Sequence, residues 1–182
     1  PAWAPLAGKN IRVEYRVTET SKVTTSGKLA GKTARETKVQ VCKERNNYYV
    51  SDEGRIFWSV LLIACDGEKA RGDNASTGAI YSLDAKSGVF KNMSYKSRST
   101  PGGGIELTIW TAKKESTDKD VTSSRYEWKT TFTPEDPCRI KHSGTGLYFS
   151  DDKPGPYEYD YRSELVRKYD IVSCTVSEGH KQ

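Results

Sequence analysis

The sequence predicts an all-β protein: a single antiparallel β-barrel or β-sandwich domain over residues 1–182, with at most one short helix near 162–169. Three observations carry that expectation. "NIRVEYRVT" (10–18) alternates strictly, with Ile11, Val13, Tyr15 and Val17 on one side and Arg12, Glu14, Arg16 and Thr18 on the other, as in a strand with one dry and one wet face. Short β-like runs recur along the chain, separated by turn chemistry. The hydrophobic fraction is only 35% against 29% charged, so apolar residues must be placed economically, which two-faced strands achieve.

Taken in order, "SKVTTSGKLAGKT" (21–33) is polar and small and reads as a mobile loop or weak hairpin. The β pattern resumes over 36–43 and 47–50. "GRIFWSVLLIAC" (54–65) is apolar on both sides: Ile56, Trp58, Val60 and Leu62 on one, Phe57, Leu61 and Ile63 on the other. That pattern fits a strand covered on both faces or one crossing between layers. Aromatic and β-branched enrichment and the following Asp66-Gly67 turn favour a strand over a helix here. Further strands are expected at 79–83, 88–95, 105–112, 124–133, 137–142, 145–150 and 170–177. "DAKSG" (84–88), "TPGGG" (100–104) and "TPEDP" (133–137) supply the turns. "RSELVRKY" (162–169) is the helical candidate, two turns at most. At 182 residues, without repeat, linker or low-complexity block, the chain is expected to form one domain.

Cys42, Cys65, Cys138 and Cys174 each lie in or beside a β-like run, and none forms a C-x-x-C pair. With His142 and His180 the only histidines, no metal site and no cofactor are expected. An even cysteine number in such settings suggests two disulfides and an oxidising compartment. Of three possible connectivities, Cys42–Cys65 and Cys138–Cys174 are preferred because neighbouring strands most often pair. The longest apolar run, "VLLIAC" (60–65), is too short to cross a bilayer. No basic-then-apolar leader opens the sequence, so any export signal is expected to have been removed already.

The net charge is +5, concentrated early: residues 1–50 hold ten Lys/Arg against four Asp/Glu, while 151–182 hold five against seven. A basic stretch can attract anionic polymers. The positives are spaced and interleaved with Ser and Thr, so they read as outward residues of strands and no specific nucleic-acid partner is expected.

"LAGKNIRVEYRVTET" (6–20), "YYVSDEGRIFWSVL" (48–61), "CRIKHSG" (138–144) and "VSCTVSEG" (172–179) resemble segments of small uncharacterised exported proteins of rhizobia and related alphaproteobacteria. The resemblance covers about half the chain. It implies a periplasmic or extracellular home and adds support to a Cys138–Cys174 bridge; it implies no activity. Residues 66–78 and the Tyr-rich segment depart from it, and Cys42 and Cys65 have no counterpart there.

No catalytic set stands out. His142 is the one plausible imidazole base, but no G-x-S-x-G elbow accompanies it, and it reads as an ordinary histidine at a strand end. "DGEKARGDNASTG" (66–78) lacks calcium-loop spacing. Its RGD (71–73), and the acceptor sequons at 74–76 and 92–94, are short matches of the kind chance supplies.

Aromatic placement is the remaining lead. In "GIELTIWTA" (104–112), Trp110 sits on the polar side with Glu106 and Thr108, where it could stack a sugar ring or be capped by a loop. Tyr126, Trp128 and Phe132 read as core. In "DDKPGPYEYDYR" (151–162), Tyr157, Tyr159 and Tyr161 alternate with Glu158 and Asp160. Two prolines mark an edge or extended loop, with the tyrosines half-buried or forming a binding platform. The expectation is an exported, non-catalytic binding or surface-interaction protein whose partner is a glycan, an anionic envelope polymer or another protein. The alternatives are a structural subunit of a surface assembly, an envelope hydrolase using carboxylates, and a carrier of a small apolar ligand.

Overall fold

A computed structural model describes residues 1–27, 34–66, 78–84, 86–117, 120–152 and 159–179. After a single 3-10 turn at Ala4–Leu6, ten strands follow in a meander. They are β1 (Lys9–Gly27), β2 (Ala34–Val50), β3 (Arg55–Cys65), β4 (Ala79–Ser82), β5 (Ser87–Phe90), β6 (Met93–Ser99), β7 (Ile105–Ser116), β8 (Asp120–Phe132), β9 (Lys141–Asp152) and β10 (Tyr159–Glu178). Each pairs antiparallel with its sequence neighbour except β4 with β5, and the sheet order is β4-β3-β2-β1-β10-β9-β8-β7-β6-β5. Strands β1 and β10 join in one long ladder from Lys9↔Glu178 to Gly27↔Tyr159, with one bulge beside Tyr15. The single sheet thus curls nearly shut, its seam between β4 and β5. The barrel, not the sandwich, is the architecture.

The wall is uneven in height. The β3–β4 ladder ends at Trp58↔Ala79 and the β6–β7 ladder at Ser94↔Trp110, so β4, β5 and β6 line only one half of the barrel. That half is the floor. Both ends of the meander lie there, with the turns at 51–54, 100–104 and 133–140. The strand ends that lead into 28–33, 67–77, 118–119 and 153–158 all lie at the opposite end, the mouth.

The floor is apolar. Leu6, Ile11, Val13, Val50, Ile56, Ile105, Leu107, Phe132 and Ile140 are all buried there. The 3-10 turn brings Trp3 across the end of the barrel, where its Nε1 donates to Asp84 Oδ1 at 2.5 Å. Trp3 lies flat on Gly54, whose φ of +77° and missing Cβ are both required, since a side chain at that position would occupy the indole. Both expected disulfides are present. Cys42–Cys65 joins directly opposed residues of β2 and β3, and Cys138–Cys174 ties the β8–β9 connection to β10.

Several sequence expectations are corrected. Residues 162–169 are not helical but lie within β10. Burial there alternates residue by residue, with Ser163, Leu165, Arg167 and Tyr169 less exposed than Arg162, Glu164, Val166 and Lys168. Pairing on both sides of β10 overrides a weak local helical pattern. Strand β1 runs on through Gly27, so 21–27 is no loop; residues 28–33 lie outside the described residues. The two pieces expected at 36–43 and 47–50 are one strand, β2. The run 88–95 is a hairpin of β5 and β6 turning at Lys91, whose φ is +54°. Residues 137–140 form no strand, and β9 begins at Lys141. Among the described residues strand β3 is not covered by a second layer. Its outer Phe57 packs against Tyr49 of β2, ring centroids 6.0 Å apart, within the same sheet.

Candidate functional site

Above the dry floor the inner face changes character. Directly opposed residues of antiparallel strands share a face, so the register carries Val13↔Asn46, Tyr15↔Glu44, Val17↔Tyr169 and Glu19↔Arg167 into the barrel in turn. Strand β9 adds His142, and β8, opposite it, adds Thr130. A β2 strand reading Cys42, Glu44, Asn46, Tyr48, Val50 on its inner side therefore places a carboxylate and an amide where aliphatic residues would suffice for packing.

These groups form a chain of contacts. Trp58 Nε1 donates to Asn46 Oδ1 at 2.6 Å, and Asn46 Nδ2 donates to Glu44 Oε1 at 3.0 Å. Arg167 Nε donates to Glu19 Oε2 at 2.8 Å across the β1–β10 ladder. His142 Nδ1 shares a proton with Thr130 Oγ1 at 2.7 Å. The imidazole is enclosed by rings, with centroids 4.3 Å from Tyr169, 5.6 Å from Trp58 and 5.8 Å from Tyr15. Tyr48 stacks on Trp58.

The chain is incomplete. Among the described residues Nε2 of His142 is buried without a hydrogen-bond partner, although an unmade bond to a buried polar atom costs about 1–3 kcal/mol, and the buried hydroxyls of Tyr15 and Tyr48 have only each other. Electrostatics follows burial. Desolvation drives the Tyr15, Tyr48 and Tyr169 phenols well above the usual range, helped by the Glu44 charge. It holds His142 down to about 3, with Arg167 adding to the effect, so this imidazole is neutral at physiological pH. Burial also raises Glu44, while Asn46 and Arg167 pull it the other way and Glu19 pushes it further up. For Arg167, burial works against the charge, but the hydrogen bond to Glu19 and the Tyr169, Glu19 and Glu44 groups outweigh it.

Toward the mouth the inner face stays polar and roomy. An open cleft of about 520 Å³ is lined by Glu19, Ser21, Lys38, Val39, Gln40 and Asp66, within the volume range of small-molecule sites. Gly144 and Gly146 of β9 face Trp128 and Tyr126 of β8. A Cβ on Gly146 would lie 2.7 Å from the Tyr126 ring, so the glycines make room for two large aromatics inside the wall.

Of the residues singled out by sequence, Tyr161 is on the inner face near the mouth, its ring edge-on to Tyr148 at 5.9 Å. The backbone of Tyr159 pairs with Gly27 and Asp152, and Tyr157 lies outside the described residues. The RGD tripeptide, the 74–76 sequon and His180 also lie outside them, while Asn92 stands exposed at the β5–β6 turn. Trp110 is on the outer wall, half-buried in a groove of about 110 Å³ with Lys96, Glu106, Thr108, Arg125, Glu127 and Lys129. It is therefore remote from the interior cluster. Phe132 is core, and Trp128 packs against the core as expected.

Glu44, Asn46, Tyr15, Tyr48, Tyr169 and Arg167 were not singled out by sequence. The polar stretch "KERNN" (43–47) looks like a break between strands, and only uninterrupted parity from Cys42 to Val50 reveals its inward members. Among the described residues no group of three or more His, Cys, Asp or Glu side chains could hold a metal ion, and no helix is long and apolar enough to cross a membrane. Comparison with known protein families, curated proteins and solved structures finds no match.

Proposed function

We propose that the protein is a non-catalytic binding barrel that takes a small ligand into the mouth half of its interior and works outside the cytosol. One observation carries this reading. The barrel's inner face passes from an apolar floor to a belt in which, among the described residues, an imidazole nitrogen is buried without a partner and two phenol hydroxyls have only each other, with an open cleft toward the mouth. Protein interiors leave few such atoms unpaired, and a core serving stability alone is better built from aliphatic side chains in their place. Two disulfides support a periplasmic or extracellular setting, in keeping with the resemblance to exported rhizobial proteins.

Among the expectations from sequence this reading is nearest to the carrier, with a ligand that is amphipathic rather than purely apolar. A neutral histidine whose Nδ1 is engaged by the Thr130 hydroxyl, both groups being buried away from solvent, supports binding over hydrolysis. The test is intrinsic fluorescence on titration with a panel of small amphipathic compounds, in the wild type and in Trp110→Phe. Trp58 and Trp128 line the interior and report occupancy, while Trp110 reports the outer wall. A saturable change that survives Trp110→Phe and raises the thermal midpoint is the expected result. A flat response throughout the panel rejects the reading.

A second reading rests on Trp110 itself. A half-buried indole in a groove with two carboxylates and three basic side chains is a surface that a sugar ring can stack on. Binding to an immobilised glycan panel that disappears in Trp110→Ala, with the interior titrations unchanged, would support it.

A further inference from the structure

The interior belt also has a charge preference, and this inference rests on the binding reading above. We propose that the mouth half of the barrel receives a small organic cation, an ammonium on a compact aromatic or aliphatic body, with its charge held at Glu44.

The inner wall at this level carries two carboxylates, Glu19 and Glu44, and one guanidinium, Arg167. Arg167 is committed to Glu19 at 2.8 Å and reaches Glu44 only through space. Among the described residues Glu44 has one side-chain hydrogen bond, from Asn46 to Oε1, and it is partly exposed. His142 is neutral and contributes no compensating charge. At the rim, Lys38 stands 3.8 Å from Glu36 and Lys113 2.9 Å from Glu115, so neither is a spare cation directed at the belt. Among the described residues of the belt the formal deficit is one positive charge.

The surrounding chemistry suits an ammonium. Such a group has three donors and no acceptor, and the belt offers the second Glu44 oxygen and the Tyr15–Tyr48 hydroxyl pair as acceptors. Those phenols are aromatic walls as well, and cations gain further from ring faces when desolvated. An anion would meet two carboxylates with the one guanidinium already engaged. A neutral ligand would leave Glu44 uncompensated in a partly dry site, which is costly.

The experiment uses three near-isosteric probes, 2-phenylethylamine, 2-phenylethanol and 3-phenylpropionate, titrated calorimetrically into the intact protein. The amine is expected to bind at least tenfold more tightly than the other two. Its affinity should fall as pH is lowered and Glu44 takes a proton, while that of the alcohol stays within twofold. Glu44→Gln should abolish the preference and leave alcohol binding in place; should that variant not fold, the pH dependence in the wild type decides the same point. Alcohol or carboxylate binding as tightly as the amine overturns the cation assignment and leaves interior binding standing. A preference that survives Glu44→Gln, or that ignores pH, overturns the role of Glu44. Absence of binding by all three rejects both this inference and the reading beneath it.

Discussion

The floor and the mouth half of this barrel are built from the same strands by the same alternation, yet they solve different problems. At the floor, Ile11, Val13, Ile56, Leu107 and Phe132 meet under a Trp3–Leu6 plug, and the Trp3 indole nitrogen has its partner in Asp84. A few residues further along β1 and β2, the inner positions become Tyr15, Glu44 and Asn46, then Glu19 and Arg167, and the nearby His142 Nε2 has no partner among the described residues. The front wall of β4, β5 and β6 ends at about the level where this change occurs. Burial energy is concentrated where the wall is complete, and polar chemistry where it is not. The contrast teaches that stability and the candidate site occupy separate ends of one sheet.

The contrast is breakable by mutation, and the largest effect is expected at the floor. Phe132→Ala removes a ring that is 1% exposed and should cost about 3–5 kcal/mol in denaturant unfolding. Tyr161→Ala, near the mouth, should cost much less than that. Equal losses would erase the distinction. Next come the two bridges, one in each half. They close chain separations of 23 and 36 residues, for which chain entropy gives about 3–4 kcal/mol each. Replacing either pair by alanine should lower the unfolding midpoint accordingly. A negligible change for Cys42–Cys65 alone would mean that β2 and β3 hold the mouth half without covalent help.

A third effect comes from the belt. His142 is held at about 3 in the fold against 6.5 in the open chain. Its folded value is depressed, so the unfolded chain binds the proton first and stability falls as pH drops below 6.5. Linkage sets the loss near 2 kcal/mol at pH 5. The raised carboxyl of Glu44 acts in the opposite direction, since protonation favours its folded environment as acidity grows. The clean measurement is therefore the difference between wild type and His142→Gln, unfolded in urea at pH 7 and pH 5. The variant should lack the histidine's share of the slope; parallel profiles would place the imidazole in contact with solvent. The smallest effect is expected at Glu19→Gln. Its ion pair with Arg167 is partly exposed, and such pairs are worth below about 1 kcal/mol, so chemical denaturation should barely register the change.

How much of this was legible beforehand follows the same division. The floor could be read from sequence because it obeys simple alternation: Ile11 and Val13, continued by Tyr15 and Val17 above them, announce both their strand and its dry side. The cysteine pairing was legible too, since neighbouring strands in a meander are neighbours in space. The belt was not legible, because Glu44 and Asn46 inside β2 violate the rule that makes strands visible. His142 was expected to end a strand over 137–142 and instead lies near the start of β9, and nothing local shows that its ring lies among Tyr15, Trp58 and Tyr169. Only the closed register of distant strands brings them together. The helical expectation at 162–169 failed for a related reason. Glu164, Arg167 and Lys168 suit a helix surface, while β1 and β9 each offer that segment a ladder to fill. Trp110 was correctly read as facing away from the core, yet sequence alone gave it more weight than the interior cluster it never meets.

One feature of the topology also bears on how the molecule comes into being. The barrel is closed by its first and last strands, Lys9 opposite Glu178, a pairing between the two extremes of the meander. Contacts of such sequence separation are slow to form, and residues 9–27 have no final neighbour on that side until 159–178 have been synthesised. Until then β1 and β9 each present a long open edge, and any extended polypeptide that arrives first is offered the template meant for β10.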